Sequence, residues 1–304
     1  MARSFLSVDD LSEDELVRLL DDADAVKKKP SRLDGALSGK QIALVMEKPS
    51  TRTRVSFEAA ISALGAHAIV VRGDELQLGR GETIADTGRV LGRYVDAIVV
   101  RTFGQERAEA LADSSGVPVI NALTDYSHPC QCLADLQTIR AHKGALEEVV
   151  LAYLGDGNNV AHSLMFGGAK MGMQVRIAAP EGYEPLASVT ARASEIAART
   201  CGKVTVGNVV AEAASGADVL YTDVWASMGQ EAESESRAAT FERFQLNDDV
   251  LDLANDDAIV MHCLPAHRGE EITAEVIDGP RSVVWDQAEN RLHTQKALLA
   301  WLLS

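Results

Sequence analysis

The chain has 304 residues, of which 46% are hydrophobic and 24% charged, and its formal net charge is −16. This length allows two domains of ordinary size, while the acidic balance argues against a nucleic-acid surface and against adsorption to anionic lipid. No apolar stretch approaches the roughly 18 residues of a membrane span, and the first residues lead into acidic ones rather than into an apolar signal core. We therefore expect a cytoplasmic globular protein with no nucleic-acid partner and no membrane partner.

The cysteines give no sign of a disulfide framework or of a metal site. They are Cys130, Cys132, Cys201 and Cys263. Their spacing is not that of a disulfide scaffold. His128 stands near the first pair and His267 near the last cysteine, but a gap of one residue between Cys130 and Cys132 differs from common zinc spacing. We expect free thiols and no bound metal.

The first predicted helix begins after Ser12, because Glu15 follows three residues later and completes a capping box. Leu16, Leu19 and Leu20 then share one face of that helix. Four short apolar runs follow, separated by segments with helical spacing. These runs are Ile42–Met46, Ala68–Val71, Ala97–Val100 and Val117–Ile120. Strands that alternate with helices in this way predict a parallel sheet.

A polar passage with helical spacing, from 133 to 148 and interrupted at Gly144, leads into a second series of apolar runs. These runs are Val149–Leu154, Val175–Ile177, Val204–Val206, Val219–Tyr221, Ala258–Met261 and Ser282–Trp285. The last segment, Arg291–Leu303, is amphipathic and predicts a helix. We predict an α/β protein of two domains, each a mainly parallel β-sheet flanked by helices, that meet near residue 140.

Polar motifs begin just beyond several of these apolar runs. They start at Ser50, Arg101, His128, Gly155, Asp223 and His262. Ligands of open α/β sheets bind at the carboxyl ends of the strands, so we expect one active-site cleft between the two domains. The motifs of the first domain are cationic and those of the second carry Asn and Asp. The first domain is therefore predicted to hold an anion and the second an amine.

The most informative motif is Ser50-Thr51-Arg52-Thr53-Arg54, which lies between the first predicted strand and a predicted helix. The free N–H groups and the positive dipole end of that helix would point at whatever the turn holds. Forked guanidinium donors suit the oxygens of a phosphate. An N-capped helix with two solvated arginines is the alternative, and for a lone Ser-Thr-Arg it would be equally acceptable.

This pentapeptide resembles the phosphate-binding motif of the carbamoyltransferases, the family of aspartate and ornithine carbamoyltransferases. Four further motifs agree in order: Arg101-Thr102-Phe103, His128-Pro129-Cys130-Gln131, Asp223-Val224-Trp225-Ala226-Ser227-Met228-Gly229 and His262-Cys263-Leu264-Pro265. The first two are general to the family, and the last two are similar to motifs of its ornithine branch. The aspartate branch typically has His-Pro-Leu-Pro at the last of these places. The resemblance extends from about Leu6 to the C-terminus.

The resemblance implies an enzyme that transfers the carbamoyl group of carbamoyl phosphate to L-ornithine, giving L-citrulline and phosphate in arginine biosynthesis. It implies no metal and no organic cofactor. Residues 1–140 would bind carbamoyl phosphate, and a C-terminal helix at about 288–304 would pack back on them. Residues 141–287 would bind ornithine.

The resemblance also implies a role for each matching residue. Those implied for carbamoyl phosphate are Ser50, Thr51, Arg52, Thr53, Gln77, Arg101, His128, Gln131, Cys263, Leu264 and Arg291. Those implied as catalytic are Arg101, His128, Gln131, Asp223 and Cys263. Those implied for ornithine are Asn159, Asp223, Ser227 and Met228. The peptide bond before Pro265 is a candidate for the cis form.

Two polar loops have more than one interpretation. The loop 77–83 has the composition of a surface turn, but the related loop of the family reaches into a neighbouring subunit, which implies a homotrimer with shared active sites. The charged segment 230–242 is most simply a solvated loop, and its position after the Ser227 motif also suits a closing lid.

Other functions remain open on the sequence. Gly155-Asp156-Gly157-Asn158-Asn159-Val160 follows a predicted strand, with Glu181 beyond the next, as in a dinucleotide site, but Val160 replaces the third glycine. His128 alone is equally typical of a buried core histidine, and Cys263 of a buried structural thiol. The motifs are also compatible with a carbamoyltransferase for putrescine or N-acetylornithine, and with a non-catalytic sensor of a phosphate ligand.

Overall fold

The computed structural model describes residues 2–76, 81–226 and 234–304. The chain divides into two compact units, one formed by Met1–Gln137 with Glu289–Ser304 and the other by Thr138–Ala288. Each unit is built on a parallel sheet flanked by helices, which confirms the predicted α/β class. In the described part of the chain, no helix has the length and apolar character that crossing a membrane requires.

The first unit contains a four-stranded parallel sheet in the order β2-β1-β3-β4. Its elements are α1 (Glu13–Lys28), β1 (Gln41–Met46), α2 (Thr51–Ala63), β2 (His67–Arg72), α3 (Ile84–Leu91), β3 (Ala97–Arg101), α4 (Gln105–Ser115), β4 (Val119–Leu123) and α5 (Pro129–Lys143). Short 3-10 turns lie at Val8–Asp10 and Pro30–Leu33. The predicted capping box of α1 is present, with Ser12 accepting from the Glu15 N–H.

The register of this sheet brings three strand ends level. Met46 at the end of β1 pairs with Arg72 of β2 and with Arg101 of β3. β1 and β3 are buried along almost their whole length, as expected of central strands covered on both faces. The loop that leaves β1 therefore starts beside Arg101.

The second unit contains a five-stranded parallel sheet in the order β7-β6-β5-β8-β9. Its elements are β5 (Val150–Leu154), α6 (Asn159–Lys170), β6 (Gln174–Ala178), α7 (Ala187–Thr200), β7 (Lys203–Gly207), α8 (Val210–Ala214), β8 (Val219–Thr222), α9 (Ser234–Phe241), α10 (Asp248–Leu251), β9 (Ile259–His262) and α11 (Ala274–Ile277). The last helix, α12 (Val284–Leu303), begins in this unit, and its residues from Glu289 onward belong to the first. A 3-10 turn covers Glu242–Phe244. Leu154 pairs with Thr222, and Thr222 with His262, so β5, β8 and β9 end level.

The predicted strand Ser282–Trp285 is wrong. Only an isolated bridge joins Ser282 to Val260 of β9, and α12 begins at Val284 rather than at Arg291. The run is too short to continue pairing, and by Val283 its carbonyl already accepts the helical N–H of Gln287. Val284 is buried while Trp285 is 63% exposed, which fits a helix with one buried face.

Candidate active site

The first half of the candidate site is the start of α2. Ser50 caps the helix, because its Oγ accepts the N–H of Thr53 at 3.2 Å and donates to the Thr53 hydroxyl at 3.1 Å. Thr51 is the first helical residue, and the first turn contains no acidic side chain. The free N–H groups of α2 thus lie at the carboxyl edge of the sheet, where a helix start binds anions.

Two buried guanidiniums converge on this helix start. Arg291 donates from Nη2 to the Thr53 hydroxyl at 2.9 Å, and Arg101 donates from Nη1 to the same oxygen at 3.4 Å. Arg54, which the motif also offers as a phosphate donor, instead pairs with Glu58 at 2.8 Å on the exposed side of α2. The cationic centre therefore comes from β3 and α12 as well as from the motif itself.

A cavity of about 460 Å³ lies against the outer side of the same turn. Its lining includes Ser50, Thr51, Arg54 and Arg72. A slightly larger hollow of about 500 Å³ lies along β6 and β7 in the second unit, but none of the predicted site residues lines it. The chemistry of the side chains therefore identifies the site better than the size of the hollow does.

His128 is buried immediately before α5, whose first residue is Pro129. Burial lowers the pKa of His128 well below its ordinary value, and the nearby guanidiniums of Arg291, Arg101 and Arg52 lower it further. The imidazole is consequently neutral at neutral pH and has one N–H to donate. The same electrostatic effect shows that the structure brings these three arginines close to His128.

Gln131 lies one turn further along α5 and is also buried. Its Nε2 donates to Asp135 at 2.8 Å, while its Oε1 has no hydrogen-bond partner among the described residues. The Asp135 carboxylate therefore fixes the amide and leaves its second N–H for a ligand. Asp135 was not among the predicted site residues, although its spacing of four residues from Gln131 was a usable signal.

The cysteine beside Gln131 is not a nucleophile. Burial raises the pKa of Cys130 to about 12, and its Sγ donates to the Asn121 carbonyl at 3.4 Å. All four cysteines are free thiols, with Cys132 buried, Cys201 exposed and Cys263 partly buried. A thiol with so high a pKa stays protonated, so Cys130 has a structural role.

The second half of the candidate site centres on Asp223, which follows β8. Its carboxylate accepts hydrogen bonds from the Asn158 amide at 2.9 Å, from the Cys263 thiol at 2.9 Å and from the Val224 N–H at 2.8 Å. Asp223 is only 6% exposed. The structure thus brings Asp223 and Cys263 together, because β5, β8 and β9 end level.

Asn158 has two functions that the sequence analysis missed. Its Oδ1 caps α6 by accepting the N–H groups of Val160 and Ala161, and its amide group holds Asp223. Asn159 is the first residue of α6. The polar residue before a predicted helix was a signal for the cap, but not for the contact with Asp223.

The glycines before α6 are explained by packing rather than by a dinucleotide. A side chain at Gly157 would approach the Pro185 nitrogen to 2.2 Å, so the close neighbour there is the protein's own backbone. Gly155 has φ of +131°, which only glycine adopts readily. The second glycine therefore has a structural cause, and the dinucleotide alternative loses its main support.

Arg237 on α9 contacts the loops that follow β5 and β8. Its Nη1 donates to Asp156 at 2.8 Å and to the Trp225 carbonyl at 2.6 Å, and its guanidinium lies 4.9 Å from the Tyr183 ring centre. Burial raises the pKa of Asp156, and the Arg237 bond opposes that rise. The described part of the predicted solvated loop 230–242 is thus largely helical and partly buried. Gln77, Ser227 and Met228 lie outside the described residues.

The loop after β9 is fixed by a buried pair. His262 accepts the Leu264 N–H on Nδ1 at 2.9 Å, so its Nε2 carries the proton and donates to Glu271 at 3.1 Å. Leu264 has φ of +59°, and the peptide bond before Pro265 is cis, as the sequence suggested. Glu271 is a further residue that the sequence analysis missed.

Comparison with known proteins identifies the family. Residues 3–141 match the family model "Aspartate/ornithine carbamoyltransferase, carbamoyl-P binding domain". Residues 147–302 match "Aspartate/ornithine carbamoyltransferase, Asp/Orn binding domain". The ornithine carbamoyltransferase of Parafrankia sp. (strain EAN1pec) is 59% identical over 307 residues, covering 99% of this chain and 96% of the relative.

Solved structures agree with these matches. Ornithine carbamoyltransferase from Pyrococcus furiosus has a TM-score of 0.96 at 52% identity, covering 99% of this chain and 97% of that one. Anabolic ornithine carbamoyltransferase from Campylobacter jejuni has a TM-score of 0.94 at 38% identity, covering 99% of each chain. The resemblance seen in the motifs is confirmed, and the chain belongs to the aspartate/ornithine carbamoyltransferase family.

Proposed function

We propose that the protein is an ornithine carbamoyltransferase, which converts carbamoyl phosphate and L-ornithine into L-citrulline and phosphate. The observation that carries the proposal is the presence of two complementary half-sites in one chain. The first unit offers an anion site at the start of α2, and the second offers a nearly buried carboxylate at Asp223. The full-length relatives named ornithine carbamoyltransferase support the same activity.

The proposed phosphate site is the first turn of α2 with its neighbouring arginines. Ser50, Thr51, Arg52, Thr53 and Arg101 would hold the phosphate. Arg101 and Arg291 already meet at the Thr53 hydroxyl, and a phosphate dianion would offer them more oxygens than one hydroxyl does. The family resemblance adds Gln77, Arg291 and the backbone of Cys263 and Leu264 to the residues that would bind carbamoyl phosphate.

Arg101, His128 and Gln131 would polarise the carbamoyl carbonyl. The low pKa of His128 supports this role, because a neutral imidazole donates a hydrogen bond without adding a fourth positive charge to the three arginines around it. The amide of Gln131 is held by Asp135 before any ligand arrives. Donors that are already oriented stabilise a developing oxyanion with little reorganisation.

The amino-acid end of ornithine would bind to the second unit, through Asn159, Asp223, Ser227 and Met228. The Asp223 carboxylate supports this assignment because it can pair with an ammonium group while Asn158 and Cys263 keep it in place. Cys263 needs no covalent role, since the nucleophile is the substrate's own amine.

The proposed reaction needs no side-chain base, because the phosphate that leaves can accept the proton. The neutral δ-amine of ornithine donates its electron pair to the carbamoyl carbon and forms a tetrahedral centre. The bond from that carbon to the phosphate oxygen then breaks, and the phosphate takes the proton that leaves the nitrogen. Positioning of the two substrates and electrostatic stabilisation of the oxyanion would supply most of the rate.

A product assay with competing amines tests the proposal. The protein would be incubated with carbamoyl phosphate and, separately, L-ornithine, putrescine, N-acetylornithine or L-aspartate, and the products identified by mass spectrometry. We expect citrulline from ornithine and little product from the other amines. A preference for putrescine or N-acetylornithine would support the alternative amine, and phosphate-ligand binding without any product would support the sensor.

We further propose a homotrimer with shared active sites that works in arginine biosynthesis in the cytoplasm. Such an interface would cover exposed apolar side chains of the first unit, among them Val55, Tyr94 and Ile69. The cavity beside Ser50 offers room for a neighbouring loop. Four free thiols suit a reducing compartment.

A further inference from the structure

The turn that follows Pro265 places three metal-ligand side chains together. His267 Nδ1 lies 3.7 Å from Glu270 Oε2 and 3.9 Å from Glu271 Oε2. One ligand atom from each of these residues falls within 4.8 Å of the others. The side chains of His267 and Glu270 are 51% and 58% exposed, so a small ion can reach them from solvent.

The Glu271 carboxylate supplies an independent reason to expect a ligand. Glu271 is completely buried, and its Oε1 accepts from the His267 N–H and from His262. Its Oε2, by contrast, has no hydrogen-bond partner among the described residues. A buried carboxylate oxygen without a partner is costly, and a cation beside His267 would satisfy it.

The backbone holds this turn in place before any ion binds. Gly269 has φ of +91°, and the Glu270 N–H donates to the His267 carbonyl at 2.9 Å. The Gln245 amide then donates to the carbonyls of Gly269 and Glu270 at 3.0 and 2.7 Å. The guanidinium of Arg268 forms a bidentate ion pair with the carboxylate of Asp278. The guanidinium of the turn therefore does not compete for the three ligands.

We propose that His267, Glu270 and Glu271 form a binding site for a divalent metal ion such as Zn²⁺ or Co²⁺. Ligand atoms about 2.1 Å from a tetrahedral zinc lie roughly 3.4 Å apart. The two separations from His267 Nδ1, 3.7 and 3.9 Å, are a few tenths of an ångström longer than this, and the two carboxylates, whose ligand atoms lie within 4.8 Å, would also have to approach each other. One imidazole and two carboxylates suit such borderline metals, with water in the remaining position. The spacing of the cysteines, on which no zinc site was expected, gives no information about this group, because the group contains no cysteine.

The proposed ion would stabilise the loop after β9. It would bind one oxygen of Glu271 while the other oxygen continues to hold His262, whose ring accepts the Leu264 N–H. The metal would therefore stabilise the Cys263–Leu264 loop indirectly, through Glu271 and His262, and would take no part in the reaction. This inference stands independently of the proposed carbamoyl transfer.

Titration of the 304-residue chain with Co²⁺ tests the site. Binding would be monitored by calorimetry and by visible absorption. We expect one Co²⁺ per chain, with a dissociation constant at least about tenfold higher in His267→Gln and in Glu270→Gln. Both side chains are half-exposed, so neither variant should disturb folding. The control is Glu275→Gln, which removes one exposed carboxylate nearby and should leave the affinity unchanged.

A second cluster could bind the probe, because Asp223, His262 and Cys263 also place ligand atoms within 4.8 Å of one another. A thiolate ligand would add an intense near-ultraviolet band, and Cys263→Ser would remove it. Binding that survives in His267→Gln and Glu270→Gln but disappears in Cys263→Ser would overturn the proposal. Absence of Co²⁺ binding to the unaltered protein would overturn it as well.

Discussion

Asp223 is the residue on which the amine half-site depends. Asp223→Asn keeps the size of the side chain but removes the charge that would pair with an ammonium. Hydrogen bonds to charged groups contribute about 1.5–3 kcal/mol, so we expect the affinity for the ornithine analogue norvaline to fall at least about tenfold. Affinity for carbamoyl phosphate should change much less, because its phosphate would be held by the start of α2 and the arginines of the first unit, and the second unit would add only the backbone of Cys263 and Leu264.

Calorimetry measures both ligands, with norvaline added after carbamoyl phosphate. Asp252→Asn is the matched control, since it makes the same chemical change at an exposed position of the same unit. Equal loss of both ligands, or undiminished norvaline binding, would contradict the assignment of Asp223.

His128 should make stability depend on pH. Its pKa is well below the ordinary value in the folded protein because of burial and then of the arginines, so the unfolded chain binds the proton more readily. The free energy of unfolding is therefore not reduced by His128 above about pH 6.5. Below that pH, protonation of His128 in the unfolded chain lowers the free energy of unfolding by up to about 1.4 kcal/mol per pH unit. Denaturant unfolding at a series of pH values measures the effect.

The comparison variant for this measurement is His128→Gln, which cannot take up the proton. Its stability should fall less steeply below about pH 6.5 than that of the unaltered protein, while the other histidines contribute equally to both. Parallel stability curves would show that His128 is not held neutral by its surroundings.

Single-residue predictions succeed where the cause is local and fail where the partner is remote. The capping box of Ser12 and Glu15 is predicted from their spacing of three residues, and the structure contains it. The bond between Asn158 and Asp223 joins residues 65 positions apart, and it exists only because β5 and β8 pair. No spacing within one segment carries that information.

At the scale of elements, the start of α2 should serve binding as well as stability. Ser50→Ala removes the cap and should cost about 1 kcal/mol of unfolding free energy. It should also raise the KM for carbamoyl phosphate, because the N–H groups that the cap orients are those proposed to hold the phosphate. Unfolding curves and steady-state kinetics measure the two effects.

Ser12→Ala is the matched control, since Ser12 caps α1 by the same bond to an N–H three residues on. It should lower stability by a similar amount while leaving the KM unchanged. If both variants raise the KM equally, the effect at Ser50 is one of stability alone.

Element boundaries show what periodicity can and cannot tell. The runs that became β1 and β3 are buried on both faces, so their continuous apolar character identified them as strands. Ser282–Trp285 has the same character but belongs to the entry of α12, where only Val284 of its last two residues is buried. A run of four residues does not distinguish a strand from the first turn of a helix.

At the scale of the whole molecule, shared active sites predict complementation. Arg52→Ala chains and chains lacking the Gln77 loop should each be inactive as pure oligomers. Mixed oligomers should recover some citrulline synthesis, because one site can combine an intact Arg52 with an intact loop from a neighbour. Subunit exchange confirmed by native mass spectrometry, followed by the product assay, measures the recovery.

The control mixes Arg52→Ala chains with Asp223→Asn chains. If each site takes both of these residues from one chain, this mixture should recover nothing. Recovery in the control, or none in the Gln77 mixture despite proven exchange, would contradict a trimer whose neighbours contribute the Gln77 loop.

The first of the two units is formed by two separate stretches of the chain. The chain passes from the first unit to the second between Gln137 and Thr138, and returns between Ala288 and Glu289. Both passages lie inside helices, α5 and α12 respectively. Periodicity marks each helix as continuous and gives no sign that its two ends belong to different units.

The return of α12 makes the first unit the last to be completed during synthesis. Domains generally fold in the order in which they leave the ribosome, the N-terminal one first. Here the first unit must wait for Glu289–Ser304, which follow every residue of the second unit. Arg291 arrives in that final stretch and donates to Thr53, 238 residues earlier in the chain. The residues of the anion site are therefore translated partly before and partly after the whole second unit, so a nascent chain has no complete phosphate pocket until the second unit has already been made.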